Sequence, residues 1–96
     1  MRPCTILLSA RVTAELDRLR AEGSTGLDDA IAKALDLLQE LPEMGAPVRR
    51  RGAWSTTVRS WILGDTGYVL FYRVPPYANL LEILLVWHAK RRPPRL

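Results

Sequence analysis

The sequence predicts an α+β domain of two layers, in the order β-α-α-β-β-β, with a helical hairpin laid across a sheet. Three observations predict it. Residues 58–92, VRSWILGDTGYVLFYRVPPYANLLEILLVWHAKRR, alternate apolar and polar side chains, are rich in aromatic and β-branched types, and are cut by two turn clusters. Upstream, two segments repeat apolar residues at helical spacing on either side of Gly23-Ser24-Thr25-Gly26. Ahead of both stands a short apolar stretch, CTILLS at residues 4–9, with too little polar content for an exposed loop.

The first helix is expected to start at Ser9 or Ala10 and run to about Glu22. Val12, Leu16 and Leu19 share one face of its 3.6-residue period, and Arg11, Glu15, Arg18 and Glu22 take the other. Thr25 with Asp28 resembles a capping box for the second helix, and Asp28 and Asp29 suit the positive end of its dipole. That helix is expected to reach about Leu41, with Leu27, Ala30, Ile31, Ala34, Leu35, Leu38 and Leu41 as its apolar stripe. Pro42 and Gly45 stop it. Residues 46–52 read as a loop carrying Arg49, Arg50 and Arg51.

Three strands follow. A two-residue turn at Asp65-Thr66 would pair Gly64 with Gly67, Trp61 with Leu70 and Arg59 with Tyr72. Arg59, Trp61, Leu63, Tyr68, Leu70 and Tyr72 then share one face, and Val58, Ser60, Ile62, Val69, Phe71 and Arg73 the other. Arg59 is expected to pair with a helical carboxylate, and Tyr68 and Tyr72 to lie in the core. Residues 75–79 cannot be strand, because two prolines remove two ladder donors. The last strand, residues 80–88, is interrupted only by Glu82, so it is expected at the centre of the sheet with cover on both faces. The helices cover one face, and a partner chain is the candidate for the second.

The 96 residues make one domain, residues 1–96, able to bury a single core. A hydrophobic share of 48% and a charged share of 25% are ordinary for a globular chain. The longest unbroken apolar run, residues 83–87, falls far short of the ~20 residues of a membrane span. Arg11 interrupts the N-terminal apolar patch before a signal-peptide core forms, so the chain reads as cytoplasmic, with no membrane partner. The lone Cys4 cannot form an internal disulfide and reads as a small buried hydrophobe. No Cys/His spacing suggests a metal, and nothing calls for a cofactor.

Charge is split along the chain. Residues 1–47 carry five basic and eight acidic side chains, a net −3, while residues 48–96 carry nine basic and two acidic, a net +7. A basic sheet half under an acidic helical half points to an acidic or polyanionic partner on the sheet side.

With these elements in place, the series LPEMGAPV (residues 41–48), VRSW (58–61), GYVLFYRV (67–74) and ILLVWHAKR (83–91) resembles the RelE/ParE toxin superfamily of type II toxin–antitoxin modules. The resemblance covers roughly residues 30–92. It implies both helices on one face of an antiparallel sheet, and neutralisation by a cognate antitoxin that wraps the toxin as a hetero-oligomer. That fits the uncovered apolar strand, where Leu84, Val86 and Trp87, with Trp54, are the candidate antitoxin contacts.

The superfamily divides by target. RelE-like members cut mRNA in the ribosome without a metal, which needs a base for the 2′-OH, cations for the transition state and an acid for the leaving oxygen. ParE-like members bind and poison DNA gyrase. The resemblance places the basic residues of RelE-type ribonucleases at positions held here by Ser60, Ile62 and Val69, none of which carries charge. Arg91 retains a match, Arg73 shares the face of Ser60 and Val69, and His88 stands where ParE-like members commonly have His. The pattern leans towards a gyrase-directed toxin. Arg49, Arg50, Arg51, Lys90 and Arg92 are its candidate contacts to the target or to nucleic acid. The alternative is a ribosome-dependent ribonuclease using His88, Arg73 and Arg91 as catalytic residues. A second alternative is an inactive regulatory member that binds only its antitoxin.

Overall fold

Ser9 opens the first helix. Its backbone is extended (φ −73°, ψ 160°) and its hydroxyl accepts from the Val12 N–H at 3.2 Å, an N-cap that starts α1 (Ala10–Ala21). This computed structural model describes residues 4–23, 26–48, 58–75 and 79–90. α1 buries Val12 and Leu19, and Leu16 packs partly against the same core. On its outer face Arg18 binds Glu15 and Glu22, one turn away on either side.

α2 (Leu27–Glu40) buries Leu27, Ile31, Ala34 and Leu38, one row at helical spacing. Its N-terminus departs from expectation. Gly26 occupies the N-cap at φ 82°, no side chain caps the helix, and Asp28 accepts instead from Arg20 Nε at 2.8 Å. Thr25 lies outside the described residues. Leu41 leaves helical geometry (φ −130°, ψ 69°), which turns its side chain out of the stripe and leaves it 51% exposed.

The sheet has five strands in the order β1-β5-β4-β3-β2: β1 (Thr5–Leu8), β2 (Ala46–Pro47), β3 (Val58–Ile62), β4 (Tyr68–Arg73) and β5 (Leu80–His88). Two features correct the sequence reading. The segment read as loop contributes β2, whose two residues pair with Ser60 and Arg59. β1 runs parallel to β5, so the sheet is mostly rather than wholly antiparallel. Alternation along a strand reports its faces and not its direction, so β1's orientation was not readable from it. β4 is the central strand. β5 is interior, between β1 and β4.

The β3–β4 register is the expected one, with Arg59 opposite Tyr72 and Trp61 opposite Leu70. The turn is longer than expected. Leu63 pairs with Tyr68, and the Leu63 carbonyl accepts from both the N–H and the hydroxyl of Thr66, leaving Gly64 at φ 54° and Gly67 at φ 82° outside the ladder.

In β5, Phe71 faces Leu85 and Tyr72 faces Ile83, so Leu84 is an extra, bulged residue. The bulge inverts the alternation. Leu81 and Ile83 face the helices before it, and Val86 does so after it, at 4% exposure. Val86, expected among the antitoxin contacts, therefore packs in the core on the face turned to the helices. Leu85 and Trp87, half-buried, point to the other face with Val69 and Phe71. The core lies between the helices and the inner face, around Leu38, Leu70, Tyr72 and Leu81. Cys4 joins it at 5% exposure, its thiol donating to Asn79 Oδ1 at 3.2 Å.

Candidate functional site

The β4–β5 pair carries the chemistry-bearing residues at its two ends. At one end His88 sits opposite Tyr68, and the rings meet edge to face with centroids 4.9 Å apart. His88 Nδ1 accepts the Lys90 N–H at 3.1 Å. The neutral ring therefore carries its proton on Nε2. Gly67 packs beside that nitrogen, where an added Cβ would lie 3.2 Å from Nε2, and the Gly67 carbonyl accepts from the Ala89 N–H at 2.8 Å. The β3–β4 turn thus clasps the end of β5 around the imidazole.

At the other end Arg73 faces Glu82, and Arg73 Nε binds the Glu82 carboxylate. The two ends are five residues apart along β4, about 17 Å at ~3.4 Å per residue. They are also on opposite faces. His88 shares Tyr68's face, turned to the helices, whereas Arg73 lies on the face of Ser60 and Val69. The structure does not bring His88 and Arg73 together. Arg91, the third residue of that set, lies outside the described residues, as do Arg49, Arg50, Arg51, Arg92 and Trp54.

Arg59 is committed elsewhere. Rather than meeting a helical carboxylate, its guanidinium donates to the carbonyls of Glu43 (3.0 Å) and Gly45 (2.8 Å). Beside it the Tyr72 hydroxyl donates to the Pro42 carbonyl and accepts from the Gly45 N–H, both at 2.8 Å. Burial, the largest cause, pushes the Tyr72 phenol upward, partly offset by the Gly45 hydrogen bond and the Arg59 charge. Arg59 and Arg73 are thus both occupied within the fold. Among the described residues, exposed Lys90 is the positive charge left over at the end of β5. Leu84, at the bulge, and Trp87, on the outer face, are half-buried and within reach of a partner.

The His88–Tyr68 contact was not anticipated, because the register of the second hairpin depends on the bulge at Leu84, which strand alternation does not announce. Among the described residues no group of His, Cys, Asp and Glu is placed to hold a metal ion, and no helix is long and apolar enough to cross a membrane.

A helical hairpin on one face of a mostly antiparallel sheet, with aromatic and aliphatic side chains across the other, defines the class: a toxin of the RelE/ParE superfamily. The RelE chain in the crystal structure of the archaeal RelE–RelB complex from Pyrococcus horikoshii OT3 has the same fold, with a TM-score of 0.69 over 94% of this chain and 99% of that one, at 18% identity. Residues 6–93 match the family described as the ParE toxin of the type II toxin–antitoxin system, parDE, and the chain belongs to that family. Comparison with curated proteins gives no match.

Proposed function

We propose that this toxin binds and poisons DNA gyrase, cleaves no RNA itself, and is held inactive by a cognate antitoxin. The separation of His88 from Arg73 carries the reading. Metal-free cleavage of a phosphodiester requires base, cation and acid within hydrogen-bond reach of one phosphate. Here the two residues belong to strand positions five residues apart, about 17 Å along the backbone of β4, and lie on opposite faces. The guanidinium is further engaged by Glu82. Ser60, Ile62 and Val69, the positions at which the ribonuclease pattern has cations, are uncharged. The neighbouring RelE–RelB structure is a toxin–antitoxin complex. That supports a hetero-oligomer with an antitoxin held against Trp87, Leu85 and Phe71 on the open face. Lys90, with Arg49, Arg50, Arg51 and Arg92, would supply the charge that meets the target.

The test is induction of the chain without its antitoxin. DNA breaks and filamentation are expected, and purified protein should inhibit supercoiling by purified gyrase. His88→Ala should kill as the parent does. Rapid loss of translation with in-frame mRNA cuts, abolished by His88→Ala, would replace this reading with ribosome-dependent cleavage.

A further inference from the structure

The most exposed large apolar side chain among the described residues stands at the β3 rim of the open sheet face, on the side of Ser60 and Val69. Ile62 is 72% exposed at the end of β3. β2 is only two residues long and stops opposite Ser60, so it does not extend alongside Ile62. The hydrogen bonds say which way the Ile62 backbone points. Val48 N–H donates to the Val58 carbonyl on the β2 side, and Leu63 N–H donates to the Tyr68 carbonyl on the β4 side. By alternation Ile62 directs its N–H and C=O outwards, past the end of β2. The position is an unpaired piece of sheet edge, of the kind folded proteins ordinarily cover or charge.

Depressions flank it on both sides. A cleft of about 620 Å³ lies between α2 and the β3–β4 turn, with Leu37, Trp61 and Ile62 among its walls. A second, of about 310 Å³, lies between Met44 and Ala46 and the β3 residues Ser60 to Ile62. Leu37 and Met44 are 38% and 46% exposed, so the apolar strip continues from α2 across Ile62 to the loop before β2. Its border is acidic. Asp29 and Asp65 line the first cleft with Lys33. Glu40 and Glu43 stand beside Met44, where the Arg59 guanidinium is held by the Glu43 and Gly45 carbonyls, so carboxylates outnumber cations among the described residues. Among the described residues none of these four carboxylates enters an ion pair.

We propose that this edge receives an extended, cationic segment of a partner protein, which hydrogen-bonds to the Ile62 backbone and sends alternate apolar side chains into the two clefts. Backbone pairing with pockets for every second side chain is how exposed sheet edges recognise peptides. The acidic border selects the sign of the partner. It also disfavours a second copy, because two such edges brought together would oppose their own carboxylates. The strip borders the open sheet face at its β3 edge, across Val69 from Trp87, and includes none of the basic residues assigned to the target above, so the peptide test is read independently of any assay on gyrase.

Short peptides of alternating Val and Thr, flanked by Lys in one version and by Glu in the other, test it by fluorescence anisotropy against the full chain. The Lys-flanked peptide should bind at least about 10-fold more tightly at low salt, with the gap closing as salt rises. Its binding should slow exchange of the Ile62 amide. Ile62→Lys, at a solvent-exposed position, should leave the circular dichroism unchanged and lose about 10-fold in affinity. Glu43→Lys with Asp65→Lys should reverse the preference between the peptides. Equal affinity for both peptides, or no binding of either at millimolar concentration, overturns the proposal. So does concentration-dependent dimerisation that Ile62→Lys abolishes, which would assign the edge to a second copy.

Discussion

Gly45 packs directly against the Tyr72 ring and hydroxyl, with no room for a side chain. An added Cβ at Gly45 would overlap the Tyr72 hydroxyl and come within 2.9 Å of the Ser60 carbonyl. Gly45→Ala should therefore destabilise the fold by about 1–3 kcal/mol through overpacking, read as a lower urea midpoint at constant m. Tyr72→Phe removes a hydroxyl with both a donor and an acceptor to satisfy. It should cost about 1–2 kcal/mol at neutral pH, since the Pro42 carbonyl and the Gly45 N–H both lose their partner. The pH dependence has a definite sign. The folded phenol is raised above its ordinary value of 10.0. The stabilisation it contributes is complete below that value and is lost as pH rises through 10 towards the folded pKa. The deficit of Tyr72→Phe relative to the parent, measured by urea denaturation, should shrink above about pH 10 and stay constant between pH 6 and 9. The sequence alone made Tyr72 a core residue opposite Arg59. It did not show that both would reach into the same loop, because the partners there are main-chain groups of residues 42–45 that leave no mark in side-chain pattern.

At the level of elements, periodicity carried the reading furthest where one face is dry. Both helices and β3–β5 lie where apolar spacing put them, and β3 and β4 pair in the expected register. It failed where main-chain geometry decides. The start of α2 depends on a left-handed residue rather than a capping side chain, and Gly26 meets that need because it lacks a Cβ. Nothing lies within 4 Å of the position a Cβ would take there, so packing is indifferent to it. Gly26→Ala should still lower stability by about 1 kcal/mol, from φ alone. Asp28→Ala, by contrast, loses an exposed pair with Arg20 and one of two first-turn carboxylates at the helix N-terminus, both small exposed terms, and should change the melting temperature little. The bulge at Leu84 gives the complementary test. Val86→Ala, behind the bulge and facing the helices, should destabilise by about 2 kcal/mol. Leu84→Ala should cost clearly less, although uninterrupted alternation puts both residues on one face.

For the molecule as a whole, the charge split and the arrangement of strands were legible to different degrees. The acidic helical layer and the basic second half were visible in composition. What the fold adds is that Arg59 and Arg73, two of the cations closest to the sheet in sequence, are spent on carbonyls and on Glu82. His88 and Arg73, grouped in the sequence reading, stand at opposite ends of one hairpin, because the register of β4 and β5 separates them. The same topology ranks local stability. β4 is paired along both edges and contributes Leu70 and Tyr72, at 1% and 0% exposure, to the core, whereas β2 is two residues long and Ile62 ends an open edge. Amides that exchange only through global unfolding should therefore cluster in β4 and the part of β5 facing it. Those of Ala46 in β2 and of Ile62 should exchange through local fraying, on the order of 100-fold faster or more, because each step of about 1.4 kcal/mol in opening free energy is a factor of ten. Hydrogen exchange on the isolated chain measures this ordering directly. If Ile62 were as protected as Leu70, the β3 edge would already be covered in the free protein, and a partner strand would have no place to pair.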